Sequence, residues 1–458
     1  MIREAVDSQE ARYRQMMEEP LSTLIPRLAV PSIISMLITA VYNMADTFFV
    51  SRIDTSASAA VGIIFSMQAI VQSIAFMIGM GCGNEISRRL GRKDEEEAER
   101  YTAIGYFTEL LTGGALCVLG LLFLRPLVFL LGSTETIAPY AMAYARYILI
   151  GTPFLMCSLG MNNMLRFQGN AFYSMIGISS GGILNMLLDP LFIYRFHLGI
   201  SGAAIATALS QFIAFLILSG QCNFMPVCIS IRLKNFKPSL SRYRTILRFG
   251  IPSLARQGIA GVSTIVLNFS AKPYGDAAIA AIAIVMRIVV FMNSAIIGFG
   301  QGFQPVCGFN YGAKNYRRVE DAYDFSLKVC FCILLVFSAA AFLFARPILS
   351  AFRREDAEVI RIGSLGLRLM ALSTPLAAQI TMANMFSQTT GYNARATVIA
   401  LLRQGICLLP FLLLLPPLFG LLGILISQPL SDLLSAVISF FITRSIMREL
   451  RGEKEMKR

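Results

Sequence analysis

From Leu21 onward the chain alternates long apolar runs with short, mostly basic breaks. The runs fall at 21–51, 57–84, 101–124, 136–160, 170–194, 199–220, 246–271, 276–308, 320–345, 358–386, 392–416 and 419–443. Each is about 20 residues or more, the length an α-helix needs to cross a hydrocarbon core roughly 30 Å thick. Backbone polar groups in lipid must be satisfied within their own segment, so such runs predict helices. The expected fold is an all-α membrane protein of twelve transmembrane helices. The breaks leave no room for a soluble domain of about 100 residues or more.

The pattern repeats. Pro31-Ser32 recurs as Pro252-Ser253, Gly91 as Gly312 and Arg125-Pro126 as Arg346-Pro347, all at an offset of 221. Arg146, Thr152-Pro153, Asn162 and Gly169 recur as Arg368, Thr374-Pro375, Asn384 and Gly391 at 222, and Gly199 and Gly202 as Gly420 and Gly423 at 221. Aligning Gly79, Gly81 and Gly83 with Gly298, Gly300 and Gly302 takes an offset of 219, and so a two-residue gap. A nearly constant offset over this length predicts two similar halves. Six helices per half let both halves enter the membrane from the same side, as parallel repeats enclosing a central cavity do. The organisation expected is a cytoplasmic segment at 1–20, an amino lobe at 21–220, an inter-lobe loop at 221–245, a carboxyl lobe at 246–443 and a basic tail at 444–458.

Composition and charge sharpen this picture. Only 15% of residues are charged and 55% are hydrophobic, against about 25% charged in soluble proteins. Residues 1–20 carry Arg3, Glu4, Asp7, Glu10, Arg12, Arg14, Glu18 and Glu19 before any apolar run, so a cleavable signal peptide is not expected. With the N-terminus in the cytoplasm, and with Arg27, Arg248, Arg361 and Arg395 near run ends counted with the segments they adjoin, 26 Lys and Arg fall on the cytoplasmic side, 8 on the outer side and 6 deeper within spans. The positive-inside rule then puts both termini in the cytoplasm. The net charge of +13 is spread between apolar runs and forms no basic stripe, which argues against nucleic acid. Nine Cys, mostly inside apolar runs, and one His, His197, supply neither a disulfide framework nor a zinc spacing.

Ionisable residues within spans are functional candidates. In the first span Asp46 follows Tyr42 by four and Asn43 by three, which places the three on neighbouring parts of one helix face. In the fifth, Asn185 and Asp189 stand four apart. The sixth runs Gly202-Ala203-Ala204-Ile205-Ala206-Thr207, a small-residue surface that allows close helix approach and carries one hydroxyl. Two carboxylates, an amide and a hydroxyl form an all-oxygen set suited to a hard cation such as Na⁺. If the carboxylates face each other, one of the pair should hold a proton. The competing structural account has Asn185 and Asp189 capping a helix end. Arg146, Arg256, Arg287, Lys328, Arg368 and Arg403 are the cations away from the run ends, and Arg287 is a candidate partner for Asp432. The 33 Phe and 22 Met mostly fill helix contacts, and some could line an adaptable cavity.

Several of these segments resemble the multidrug and toxic compound extrusion (MATE) transporters, nearest a MepA-like bacterial branch. They are Tyr-Asn-x-x-Asp-x-x-Phe-Val at 42–50, Ser-Arg-x-Leu-Gly at 87–91 and Asn-x-x-x-Asp-Pro-Leu-Phe-Ile at 185–193. Gly300-Gln301-Gly302-Phe303-Gln304-Pro305 and Gly308-Phe309-Asn310-Tyr311-Gly312-Ala313 are the most specific. The resemblance covers about residues 20–450. It implies two pseudo-symmetric six-helix lobes around a central V-shaped cavity in the bacterial inner membrane. It also implies export of amphipathic, often cationic compounds in exchange for H⁺ or Na⁺, without a cofactor or enzymatic activity. By the same resemblance Asp46, Asn185, Asp189 and Thr207 form the amino-lobe cation site, Tyr42, Asn43 and Asn162 lie near substrate, and Pro31 is a helix-bending proline. Partners beyond small molecules and membrane lipid are not expected, and the chain should act as a monomer. It departs from a NorM-like branch in having no acid in the seventh helix, around Gln257 to Gly261, or in the tenth, from Thr374 to Gln388. The alternative is a flippase for lipid-linked oligosaccharide or peptidoglycan precursors, which would use Arg256, Arg287 and Arg403 to hold a pyrophosphate.

Overall fold

The computed structural model describes residues 2–51, 53, 55–225, 228–352 and 356–455. Of the cations expected in outer loops, Arg52, Arg353 and Arg354 lie outside the described residues. Those described form helices and no strand. In chain order the helices are α1 (Ile2–Glu18), α2 (Leu21–Ser51), α3 (Thr55–Gly91), α4 (Glu95–Leu122), α5 (Leu124–Leu130), α6 (Ala138–Phe167), α7 (Ala171–Pro190) and α8 (Gly199–Phe224). Then follow α9 (Leu240–Ala271), α10 (Asp276–Gly312), α11 (Tyr316–Leu343), α12 (Ala345–Phe352), α13 (Ala357–Ser373), α14 (Ala377–Thr389), α15 (Asn393–Leu401), α16 (Leu408–Phe419) and α17 (Leu421–Glu455).

These helices match the twelve expected spans once the breaks are read physically. Pro375 interrupts the tenth span with a 3₁₀ turn at Thr374–Leu376, and a π-turn at Leu402–Ile406 splits the eleventh. Among the described residues eleven helical segments are long and apolar enough to cross a membrane. The span at 246–271 is helical as α9 but is missing from that set, because Arg256, Gln257 and Asn268 dilute its apolar character. The charged segment before Leu21 is itself helical, as α1. Arg12 of α1 donates to the carbonyl of Gln168 and is nearly buried there. Burial lowers this guanidinium to about 10, against the opposing pull of Cys228 and Tyr173.

The chain divides into two compact units, Val30–Gly250 with the N-terminal helix, and Ile251 onward with Pro20–Ala29. In the first unit α6 packs against α3, α4, α7 and α8. In the second, α13 and α14 hold the same place against α10, α11, α15 and α17. These central spans are the most enclosed, with 72% of the α6 window and 56% of the α13–α14 window buried. The turns repeat as well. Asp94 and Asn315 both cap the following helix through their side chains, onto the amides of Glu97 and Arg318. The preceding Lys93 and Lys314 both take positive φ, 60° and 61°.

The glycine motifs need no gap. A Cβ on Gly79 would press on Gly160 and Asn163, and one on Gly300 would press on Met382 and Met385. Gly160 and Asn163 stand 222 residues before Met382 and Met385. Gly79 therefore pairs with Gly300, at the same offset of 221 that relates the rest of this helix. The shift of two was an artefact of matching Gly-x-Gly-x-Gly to itself one repeat out of step.

Candidate cation site and its counterpart in the second unit

All four expected cation-site residues and Tyr42 lie in the first unit. On α7, Gly182, Asn185 and Asp189 follow at i, i+3 and i+7, one helical stripe. A Cβ on Gly182 would sit 3.2 Å from Cδ1 of Tyr42, so the bare glycine lets the Tyr42 ring of α2 rest against this stripe. Asp189 is fully buried and Asn185 nearly so. The Asn185 amide donates to Asp189 Oδ1 and to Thr207 Oγ1, each at 3.2 Å. Tyr144 of α6, itself buried, lies beside Thr207. Asp46 lies within Coulombic range of Asp189, and both act on Tyr42.

The donors run out before the acceptors do. Asp46 Oδ1, Asn185 Oδ1 and Asp189 Oδ2 are buried with no hydrogen-bond partner. Buried acceptors are nearly always satisfied, so such a group of exceptions calls for an explanation. A proton or a hard cation would supply what these oxygens lack. Helix capping does not account for them, since Asn185 bonds side chains rather than backbone. Past Asp189, Pro190 leads into a π-turn at Leu191–Arg195. Such wide turns often mark functional sites.

The other expected residues lie elsewhere. Asn43 is exposed on α2. Asn162 is roughly 27 Å along α6 from Tyr144, at 1.5 Å per residue. There it is buried and accepts from Ser174 Oγ at the start of α7. Its repeat mate Asn384 donates to the carbonyl of Ala396 at 2.7 Å, so this clasp belongs to the repeat. Pro31 sits inside α2, about 22 Å before Asp46 on the same rise per residue. Ser35 bonds back to the Pro31 carbonyl at 3.0 Å, and Thr39 to that of Ser35 at 2.8 Å. Back-bonding of this kind bends helices, and it adds to the amide that Pro31 lacks.

The second unit holds something different. Carried across by the repeat offsets, Asp46, Asn185, Asp189 and Thr207 become Leu267, Cys407, Phe411 and Gln428. Leu267 and Gln428 line a small apolar cavity with Ile282, Val285 and Leu408. One turn along α17, fully buried Asp432 accepts from Arg403 at 2.8 Å, from Gln428 at 2.9 Å and from Ser373 at 3.1 Å. The expected partner Arg287 is thus replaced by Arg403. The π-turn at Leu402–Ile406 carries it, and Ser431 bonds the Arg403 carbonyl at 2.5 Å.

One residue escaped the sequence reading. Glu109 of α4 is fully buried, and neither carboxylate oxygen has a hydrogen-bond partner. Its side chain occupies the space that a Cβ on Gly160 would need. Its thiol neighbours are Cys82 of α3 and Cys157 of α6. The signal was available, an acid within an apolar run, but Tyr106 and Thr112 at i−3 and i+3 bring it neither an amide nor a second carboxylate.

The MatE family model matches residues 31–191 and 252–414, one segment in each half. The chain belongs to the MatE family. It is 26% identical over 438 residues to multidrug export protein MepA of Staphylococcus haemolyticus, covering 95% of this chain and 96% of that protein. The resemblance to a MepA-like branch is thereby borne out. An outward-facing multidrug resistance MATE transporter of the MOP superfamily superposes with a TM-score of 0.91 at 27% identity, covering 96% of this chain and 98% of that one. A MATE structure in the bent conformation gives 0.89 at 27% identity, covering 96% and 98%. These MatE relatives are transporters rather than enzymes. The chain is a multi-pass membrane transporter of this family.

Proposed function

We propose that this MatE protein exports amphipathic, often cationic compounds, driven by inward movement of H⁺ or Na⁺ through the first unit. Asp46 and Asp189 carry the exchangeable charge, with Asn185 and Thr207 holding Asp189 in place. The observation behind this reading is the trio of buried oxygens without donors, on Asp46, Asn185 and Asp189. Ion and cationic substrate compete for the same negative charge, so loading the ion releases the substrate and unloading it restores the site. Tyr42 lies beside that site, and Asn43 is exposed on the same helix, which suits both to contact with substrate. Pro31 supplies a bend in α2 that lets Asp46 move. Asn162 stays with its helix clasp rather than the ion.

In this account the protein works as a monomer in a bacterial inner membrane with both termini in the cytoplasm. The amino lobe at 21–220 and carboxyl lobe at 246–443 alternate access. One ion per cycle is expected, because the second unit's equivalent positions are Leu267, Cys407, Phe411 and Gln428. The flippase alternative loses one of its three cations, since the Arg403 charge is neutralised by Asp432. Uptake of ethidium into everted vesicles, with pH and Na⁺ gradients imposed separately, tests the proposal and names the ion. Uptake indifferent to both gradients would reject it.

A further inference from the structure

We propose that the second unit contains a binding site for a phosphate-bearing anion, at the end where α17 carries its basic residues. A cavity of about 470 Å³ opens there between α11, α14 and α17. Arg444, Arg448 and Arg451 line it from α17, at i, i+4 and i+7, and so from one helix face. Tyr323, Gln379 and Thr443 line it as well.

One lining residue holds an unpartnered donor. Tyr323 is 3% exposed, and its hydroxyl donates to Gln379 Oε1 at 3.2 Å. That bond fixes the amide, so that its NH₂ is the end left over. Gln379 Nε2 is buried and has no hydrogen-bond partner. The Arg444 guanidinium lies 4.9 Å from the Phe440 ring centroid, which orients it without neutralising it. Arg448 has no ion-pair partner among the described residues. Arg451 holds Glu320 through two nitrogens, and Asp324 is the one acid in the lining. Cations exceed anions in the lining, and the unpartnered polar atom of Gln379 is a donor.

A multi-oxygen anion completes this arrangement. Guanidinium pairs match phosphate geometry in bidentate fashion. Leu327, Phe440 and Met447 supply apolar wall, which suits a phosphodiester carrying carbon chains. Basic pockets between helices at a membrane surface bind such lipid headgroups. The site is not a by-product of the repeat. The positions equivalent to Tyr323, Gln379, Arg444 and Arg451 in the first unit are Thr102, Cys157, Asn223 and Ser230.

The test uses the purified full-length chain in nanodiscs of phosphatidylcholine alone or with phosphatidylglycerol. Retained lipid is measured by native mass spectrometry, and thermal protection by inorganic phosphate is measured against chloride at equal ionic strength. Selective retention of phosphatidylglycerol is expected. It should weaken at least about tenfold in Arg444→Gln/Arg448→Gln, where two charge-assisted contacts are lost, and also in Gln379→Leu. Protection by inorganic phosphate alone, lost in the same variants, would support the site with a free anion as its source. Unchanged binding in both variants would overturn the proposal. So would equal weakening by Arg92→Gln/Arg244→Gln, two exposed first-unit arginines, because binding would then report diffuse charge. Monodisperse elution of each variant keeps a folding defect separate from loss of the site.

Discussion

Arg403, 18% exposed, and fully buried Asp432 form an ion pair in the second unit, Nε to Oδ1 at 2.8 Å, where the first unit has Gly181 and Gln211. The equivalence rests on contacts. A Cβ on Gly181 would meet the Ser210 carbonyl, as Arg403 meets Ser431, and one on Gly151 would meet Gln211, as Ser373 meets Asp432. The second unit thus carries its own tethered cation on its buried acid. Removing one partner of a buried pair leaves an uncompensated charge and costs about 3–5 kcal/mol. Arg403→Met should therefore lower thermal stability in detergent by that order, and Arg403→Met/Asp432→Asn should recover most of it. Equal losses in the single and double variants would show that the pair does not set the energetics.

Glu109 and Gly160 should be coupled in the same sense. The Glu109 carboxyl fills the space where a Cβ on Gly160 would sit. Overpacking a well-filled core costs about 1–3 kcal/mol. Gly160→Ala is expected to destabilise by that amount, and Gly160→Ala/Glu109→Ala to regain it. Additive effects in thermal unfolding of the four proteins of this cycle would refute the contact.

Pro31→Ala separates stability from transport. An interior proline costs a helix about 3 kcal/mol relative to alanine, so the variant should melt higher. If the bend at Pro31 serves the cycle, ethidium efflux should fall at matched expression. A variant that gains stability and keeps full efflux would remove the proline from the mechanism.

Orientation is open to chemical labelling. Arg232 is exposed between α8 and α9. In a background lacking other reactive thiols, Arg232→Cys should react with an impermeant maleimide in everted vesicles and not in intact cells. Labelling from outside intact cells would invert the topology.

Much of this was legible from periodicity. The twelve runs and the Asn185–Asp189 pair announced themselves because a helix brings i and i+4 together, and both partners were polar. What escaped depended on contacts distant in sequence. Arg403 and Asp432 are 29 residues apart and meet across a π-turn that no local spacing reveals. Glu109 is a lone acid whose setting comes from α3 and α6. The glycine register was misread by two because Gly-x-Gly-x-Gly matches itself when shifted. Only the packing of Gly79 on Gly160 and of Gly300 on Met382 fixes the alignment.

The central claim is that coupling resides in the first unit alone. Asp46→Asn, Asp189→Asn and Asp432→Asn, expressed to matched levels, should be compared for ethidium transport driven by an imposed ion gradient in everted vesicles. The account predicts that Asp46→Asn and Asp189→Asn lose gradient-driven transport while remaining folded, and that Asp432→Asn retains most of it once Arg403→Met removes the charge it would strand. Full activity in Asp46→Asn, or a severe defect confined to Asp432→Asn with Arg403→Met, would contradict it.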